Sequence, residues 1–289
     1  MFTLNCGGRL LTFDAPIVMG IINVTPDSFY SSSRKINTDE ALQQAEKMIV
    51  EGATIIDIGG QSTRPGSEQI GATAELERVL PVVKAVSKKF PETIISVDTY
   101  HAAVAEQCIN NGAGIINDIS GGSFDEKMLT VIARLKVAYV CMHIKGTPET
   151  MQQNAVYENV TKEILDYFIQ RTEACRNTGI NDVIIDPGLG FGKTIEHNFE
   201  LLRNLSAFKI LQKPLLLGVS RKSTIYKTLG ITAGEALNGT SVLHTLGLLN
   251  GANILRVHDV KEAVETIKLV NKFLNIYFTG SNNAFTSTF

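Results

Sequence analysis

Eight short apolar segments, each followed by a stretch of helical periodicity, constrain the fold of this 289-residue chain more than any other feature. The predicted strands are Ile17–Asn23, Thr54–Ile58, Thr93–Val97, Gly114–Asn117, Val137–Met142, Val183–Asp186, Pro214–Val219 and Asn253–Val257. Helical stretches between them include Asp39–Glu51, Ala74–Lys88, Ala102–Asn110, Thr161–Thr178 and Gly234–Leu249. Apolar strands that alternate with helices predict parallel βαβ units, and therefore an α/β fold.

Two architectures are built from such units, a closed (β/α)8 TIM barrel and an open doubly wound sheet. The count of eight favours the barrel, and so do the polar residues at the carboxyl end of nearly every strand, because those ends converge on one mouth in a barrel. A barrel typically needs about 250 residues, which fits one domain over residues 1–278. We expect an N-terminal β-hairpin at residues 2–13 to plug the barrel floor, and residues 279–289 to form a flexible tail.

Composition excludes several classes of function. A net charge of -2 provides no basic field for nucleic acid or an anionic membrane. No segment approaches the roughly 20 apolar residues of a membrane span, and no secretory signal is apparent. The four cysteines are widely spaced, without zinc-ligand spacing, so we expect free thiols in a reducing, cytoplasmic protein.

The loops after the first two strands contain residues suited to metal and anion binding. Asn23 ends the first strand, and its amide oxygen could bind a hard cation such as Mg²⁺, although the following residues also suit a simple turn. The second loop contains two glycines, two hydroxyl residues and Arg64, which suit an oxyanion. A mobile surface loop is the alternative for this segment.

Acidic and amide side chains end three further strands. Asp98, Asn117 and Asp186 lie where buried strands end, and a carboxylate in that position needs partners to offset its desolvation. We expect them to face a ligand rich in N–H groups, while Asp57 lies slightly before its strand end and could stand behind the pocket. The glycine-rich loop after Asp186 resembles a P-loop, but only three residues separate Gly188 from Gly192, so we reject that interpretation.

The last two loops add cationic groups. Arg256 and His258 are two residues apart on an extended segment, which places them on one side and suits a shared grip on one diphosphate. His101 and His244 lie in helical segments and are predicted to be structural.

Eight motifs in order over residues 16–260 jointly resemble those of the dihydropteroate synthases. They read Asn-Val-Thr-Pro-Asp-Ser-Phe, Gly-Gly-x-Ser-Thr-Arg-Pro-Gly, Ser-Val-Asp-Thr, Asn-Asp-Ile-Ser-Gly, Met-His-x-x-Gly-x-Pro, Asp-Pro-Gly-x-Gly-Phe-Gly-Lys, Ser-Arg-Lys-Ser and Arg-x-His. The resemblance implies a transferase that joins a pterin diphosphate to 4-aminobenzoate, releases diphosphate, depends on Mg²⁺ and forms a homodimer.

The same resemblance implies roles for individual residues. Asp98, Asn117, Asp186 and Lys222 would hold the pterin, with Asp98, Asp186 and Lys222 as the catalytic groups. Asn23 would hold Mg²⁺, and Thr63, Arg64, Arg256 and His258 would bind the diphosphate. Phe29, Pro65, Lys222 and Ser223 would line the aminobenzoate site.

Two positions depart from the family pattern. Ser31 stands where an acidic residue is common in the first loop, and Gln61 stands where Glu is common in the second. The rival interpretations are a pterin-dependent methyltransferase and a catalytically inactive pterin-binding homologue. Lys222, Arg256 and His258 argue against the methyltransferase, which needs no grip on a diphosphate.

Overall fold

The computed structural model describes residues 1–25, 34–62, 69–151 and 155–281. The strands are β1 (Phe2–Cys6), β2 (Arg9–Phe13), β3 (Ile17–Asn23), β4 (Ile55–Gly59), β5 (Ile94–Asp98), β6 (Ile115–Asp118), β7 (Ala138–Met142), β8 (Val183–Asp186), β9 (Leu216–Leu217) and β10 (Ile254–Val257). The helices are α1 (Arg34–Val50), α2 (Ala72–Lys89), α3 (Ala102–Ile109), α4 (Met128–Leu135), α5 (Val160–Thr178), α6 (Ile195–Arg203), α7 (Ser223–Leu229), α8 (Leu237–Leu249) and α9 (Val260–Ser281), with 3₁₀ turns at Leu205–Leu211 and Ala233–Glu235.

Strands β3 to β10 form one parallel eight-stranded sheet in the order β8-β7-β6-β5-β4-β3-β10-β9. A parallel bridge between Ile185 and Leu215 joins β8 to the segment that enters β9, and so closes the sheet on itself. The predicted TIM barrel is therefore confirmed. The seventh barrel strand is much shorter than predicted, since only Leu216 and Leu217 keep regular pairing with β10.

Alternation along each strand separates an outer and an inner set of side chains. The outer set packs against the helices and forms the largest apolar cluster. The inner set forms a second cluster around the barrel axis, from Met19, Ile55, Ile94, Ile115, Ala138, Val140, Ile184, Leu216 and Ile254. Polar side chains are consequently confined to the carboxyl side of this inner apolar layer.

The N-terminal hairpin closes the floor of the barrel, as the sequence predicts. Leu4, Cys6 and Phe13 pack into the inner cluster. The fit leaves no room for a side chain at Gly114, where a Cβ would lie 2.8 Å from the carbonyl oxygen of Cys6. The hairpin therefore seals one end and leaves the carboxyl ends of the strands as the open mouth.

Other sequence expectations have mixed outcomes. All four cysteines are free thiols and buried. Helix α9 includes residues 279–281, the first three of the predicted flexible tail, and residues 282–289 lie outside the described part of the chain, so the prediction for them stays a prediction. None of the helices in the described ranges is long and apolar enough to cross a membrane.

Candidate functional site

The mouth of the barrel is lined by polar residues that stand two positions after an inner residue of the same strand. Asp57 follows Ile55, Asn117 follows Ile115, and the same spacing applies on β8 and β10. On β5 the inward positions are Ile94, Ser96 and Asp98, so Asp98 stands two positions after a serine and four after the inner apolar residue. Because alternation has a period of two, the polar residues at these positions point toward the barrel axis. The resulting ring consists of Asp57, Asp98, Asn117, Asp186 and Arg256.

Arg256 lies at the centre of a buried ion-pair network. Its Nε donates to Asp57 Oδ2 at 2.7 Å, and its Nη2 donates to Asp98 Oδ2 at 2.6 Å. Asn117 Nδ2 donates to the same oxygen of Asp57 at 3.1 Å. Asp57 is fully buried and orients both Asn117 and Arg256, so it is a member of the site whose role the sequence left ambiguous.

Burial and neighbouring charges determine the protonation of this network. Burial raises the pKa of Asp98 to about 7, an effect that Arg256 opposes and the nearby carboxylate of Asp57 reinforces. Burial alone would lower the pKa of Arg256, but Asp57 and Asp98 together raise it above its usual value. Arg256 is therefore a permanent cation, and its 2.6 Å contact favours the ionised form of Asp98 against the effect of burial.

Asp186 and Lys222 form the opposite wall of the pocket. Asp186 Oδ1 accepts a hydrogen bond from the Gly188 amide at 2.8 Å. Lys222 Nζ donates to the carbonyl oxygen of Leu189 at 2.6 Å and lies 4.6 Å from the centroid of the Phe191 ring. Burial lowers the pKa of Lys222 to about 8, and Asp186 partly offsets that effect.

A glycine separates the two charged groups of this wall. A Cβ on Gly218 would lie 3.6 Å from Lys222 Nζ and 3.9 Å from Asp186 Oδ2. Burial raises the pKa of Asp186, while Lys222 lowers it. The absent side chain leaves the carboxylate and the ammonium open to a flat ligand in the mouth.

His258 occupies a different place from Arg256. Strand β10 ends at Val257, so His258 has left the alternating segment, and its side chain is exposed at the rim. Its Nδ1 lies 3.2 Å from Ser220 Oγ, which also accepts the His258 amide at 3.2 Å. The structure therefore places the guanidinium of Arg256 inside the mouth and the imidazole of His258 at the rim, and their shared binding of one diphosphate stays a prediction.

Arg221 has a structural role beside the pocket. It has a left-handed backbone (φ 53°), and its Nε and Nη2 donate to the two oxygens of Asp259 at 2.8 and 2.9 Å. This bidentate pair joins the loop before α7 to the loop after β10. It holds Lys222 and Ser223, the first residue of α7, beside His258.

The remaining predicted residues divide between the rim and segments outside the described part of the chain. Asn23 ends β3, and its Oδ1 lies 3.8 Å from where a Cβ on Gly59 would be. Four predicted site residues lie outside the described part of the chain, and their roles stay predictions: Phe29, Thr63, Arg64 and Pro65. Ser31, which departs from the family pattern, also lies outside it. No group of three His, Cys, Asp or Glu side chains suited to a metal occurs in the described ranges.

Several other polar residues are structural. Asp118 points away from the axis and accepts from Tyr139 OH at 2.7 Å and from Ser120 Oγ at 2.7 Å. His101 and His244 are structural as predicted, since His101 Nε2 lies 3.1 Å from the Ile70 carbonyl oxygen and His244 is buried in α8. The sequence did not predict the buried amine of Lys193, which lies between the loops after β7 and β8.

Comparison with known proteins agrees with this geometry. Residues 19–258 match the family model described as pterin binding enzyme. Dihydropteroate synthase of Escherichia coli (strain K12) is 42% identical over 270 residues, which cover 93% of this chain and 95% of the relative.

Two solved structures are also similar. The dihydropteroate synthase of Yersinia pestis in complex with a sulfonamide drug superposes with a TM-score of 0.89 at 39% identity and covers 95% of this chain and 100% of its own. That of Xanthomonas albilineans with 4-aminobenzoic acid has a TM-score of 0.88 at 35% identity, with coverage of 94% and 98%. The chain therefore belongs to the dihydropteroate synthases, the transferases of folate synthesis within the pterin-binding family.

Proposed function

We propose that the chain joins (7,8-dihydropterin-6-yl)methyl diphosphate to 4-aminobenzoate, giving 7,8-dihydropteroate and diphosphate. The observation that carries the assignment of roles is the pocket at the barrel mouth in which Asp98 and Asn117 face a wall formed by Asp186 and Lys222, together with membership of the family. A pterin is a flat heterocycle with N–H donors on one edge and ring acceptors on the other. The carboxylates of the pocket provide acceptors for the first edge, and the Lys222 ammonium provides a donor for the second.

The carboxylates are assigned to the donor edge of the ring. Asp186 accepts from N3–H and the 2-amino group, and these bonds satisfy a carboxylate whose burial is otherwise unfavourable. Asp98 accepts from N8–H, and Asn117 both donates and accepts. Lys222 donates to O4 and N5 on the opposite edge.

The reaction breaks the bond between the exocyclic methylene carbon and the diphosphate oxygen. The electron pair leaves with diphosphate, and the resulting cation is delocalised over the pterin ring. The amine nitrogen of 4-aminobenzoate then forms a bond to this carbon and releases a proton. Asp98 and Asp186 stabilise the cation electrostatically, so no side chain has to act as a nucleophile.

The leaving diphosphate is assigned to the cationic side of the mouth. Arg256 uses Nε and Nη2 for Asp57 and Asp98, so Nη1 is the nitrogen that those two bonds leave for a phosphate oxygen. His258 lies at the rim beside it, and Thr63 and Arg64 are assigned to the same anion by resemblance. The two carboxylates thus fix the guanidinium in place before the substrate arrives.

Mg²⁺ is assigned to Asn23. One amide oxygen, phosphate oxygens and waters make a suitable set of hard ligands, and the absence of a side chain on Gly59 leaves room beside that oxygen. A Mg²⁺ ion held by Asn23 would supply positive charge against the diphosphate leaving group.

We also propose a homodimer, through the exposed face of α8, in a reducing cytoplasm. One face of this helix is buried at Leu243, His244 and Leu248, while Val242, Leu246 and Leu249 remain 51%, 42% and 43% exposed. The sequence left open whether this apolar stretch serves the barrel or a second copy. The two faces allow it to serve both.

The decisive assay follows release of diphosphate and formation of dihydropteroate from the two substrates with Mg²⁺. Lys222→Met removes the ammonium from the pocket, whereas Lys227→Met removes an exposed lysine from α7, the helix that begins directly after Lys222, and is the matched control. We expect Lys222→Met to lose at least 100-fold in kcat/KM and Lys227→Met to match the wild type. Pterin binding by the wild-type protein without diphosphate release would contradict the synthase assignment and favour an inactive homologue, and methyl transfer from methyltetrahydrofolate would favour the methyltransferase.

A further inference from the structure

The loops after β7 and β8 pack against each other backbone to backbone. Gly188 has a φ of +67°, and a Cβ there would lie 2.0 Å from the carbonyl oxygen of His143. Gly192 has a φ of +65°, and a Cβ there would lie 2.6 Å from the carbonyl oxygen of Lys145. Only glycine permits both this approach and this backbone conformation, so the loop after β8 is held at two points along the loop after β7.

Lys193 lies between these two loops with its amine almost completely enclosed. The residue is 2% exposed. Its Nζ lies 2.9 Å from the carbonyl oxygen of Phe191, 3.0 Å from Nδ1 of His143 and 3.3 Å from the carbonyl oxygen of His143. An ammonium has three protons, and these three acceptors match that number.

The imidazole of His143 is suited to be an acceptor here. Burial, reinforced by the charge of Lys193, lowers the pKa of His143 to about 2. The ring is therefore neutral, and its Nδ1 can accept from the amine. Burial lowers the pKa of Lys193 well below its usual value, an effect that Asp186 opposes and the charges of Lys222 and Lys145 reinforce, so the distances rather than the charge define the contacts of the amine.

The groups joined by Lys193 also contact the pterin-binding residues. The His143 amide donates to the carbonyl oxygen of Asp186 at 3.0 Å. The other loop supplies both contacts of Lys222, the Leu189 carbonyl oxygen at 2.6 Å and the Phe191 ring at 4.6 Å. Lys193 thus joins the strand end that carries Asp186 to the loop segment that holds Lys222.

We propose that Lys193 is a positioning residue for pterin binding: through Phe191 and His143 it fixes the separation and orientation of Lys222 and Asp186. This inference rests on the proposed function and goes beyond it, since Lys193 itself touches no substrate. It acts through the loop whose backbone it holds. The expected consequence of its loss is a pocket wall that no longer presents the ammonium to the ring.

The test compares Lys193→Met, of similar volume and without the charge, with Lys145→Met as the matched control. Lys145 lies in the same pair of loops, but its amine faces the Tyr157 ring at 4.2 Å and does not contact Phe191 or His143. Binding is measured by titration with 6-hydroxymethylpterin, at a temperature where each variant is fully folded by circular dichroism. We expect Lys193→Met to bind at least tenfold more weakly, with a matching loss in kcat/KM for the pterin diphosphate, and Lys145→Met to stay within twofold of the wild type.

A merely structural lysine would lower the melting temperature without changing the dissociation constant of the folded protein, and that result would overturn the proposal. If Lys193→Met does not fold, His143→Asn and His143→Leu decide the question. Asn keeps an acceptor oxygen near the place of Nδ1, whereas Leu removes it. We expect weaker pterin binding for Leu than for Asn, and equal binding by the two would overturn the proposal, whereas a wild-type protein that binds no pterin would refute the proposed function itself.

Discussion

Asp57→Asn tests the ion-pair network beneath the pocket most directly, because it removes one charge while preserving shape. Asp57 is fully buried and lies 2.7 Å from Arg256 Nε. At an effective dielectric constant of about 20, that separation corresponds to an attraction on the order of 6 kcal/mol. Removing one partner of a buried pair generally costs about 3–5 kcal/mol, and Asp98 still pairs with Arg256, so we expect a loss of about 3 kcal/mol.

The loss should be visible as a lower melting temperature and weaker catalysis. An unfolding entropy of about 2.1 cal/mol/K per residue over 289 residues gives about 0.6 kcal/mol/K, so 3 kcal/mol corresponds to a fall of about 5 °C. Arg256 and Asn117 both lose their anchor, so kcat/KM for the pterin diphosphate should fall at least tenfold.

Asp166→Asn is the control for loss of a carboxylate that pairs with a cation at the surface. Asp166 is 51% exposed and lies 3.2 Å from Lys162 on α5, so its loss should cost less than about 1 kcal/mol. Melting temperatures are compared by calorimetry in one buffer, and rates by diphosphate release. If Asp57→Asn melts and reacts like Asp166→Asn, the buried network does not position the site.

Three further perturbations have expected outcomes. Burial lowers the pKa of His244 to about 4 from 6.5, so the unfolded state takes up a proton before the folded state does as the pH falls. The free energy of unfolding should therefore drop by up to about 3 kcal/mol between pH 6.5 and 4, as measured by denaturant titration. His244→Leu should reduce this dependence on pH. The pKa of Lys222 near 8 implies that kcat/KM for the pterin diphosphate falls as the pH rises through 8, and a flat profile to pH 9.5 would refute its role as the charged donor. Leu246→Glu should convert a dimer to a monomer in light scattering, while Val50→Glu, at an exposed valine that ends α1, should leave the oligomeric state unchanged.

The fold and the central pocket could be predicted because both depend on local alternation. An apolar residue followed two positions later by Asp, Asn or Arg identifies an inward polar side chain on any strand of a barrel. That rule correctly places Asn117 and Asp186 at the mouth, whereas Asp98 follows Ser96 and is placed there only because it ends a buried strand in phase with Ile94. The rule also applies to Asp57. Its ion pair with Arg256 could not be predicted, however, because Arg256 lies 199 residues away in the sequence and no local pattern indicates that the two meet.

The rule fails where the strand ends. Arg256 and His258 are two residues apart, but β10 stops at Val257, so strand alternation fixes the inward direction of Arg256 and not that of His258. Helix α8 shows a related limit: its sequence is apolar around much of its circumference, and only the packing of the barrel separates the covered face from the exposed one.

The contacts of the Lys193 amine are a feature of the site that could not be predicted from the sequence. This amine is buried without a carboxylate among its three closest acceptors, and two of the three are backbone oxygens, which have no signature in side-chain identity. The glycines that bring those oxygens within reach suggest a phosphate loop when they are considered alone. In the fold they allow two loops to touch, and the amine that holds the loops together lies behind the pocket, where it supports Asp186 and Lys222 without displacing them from the substrate.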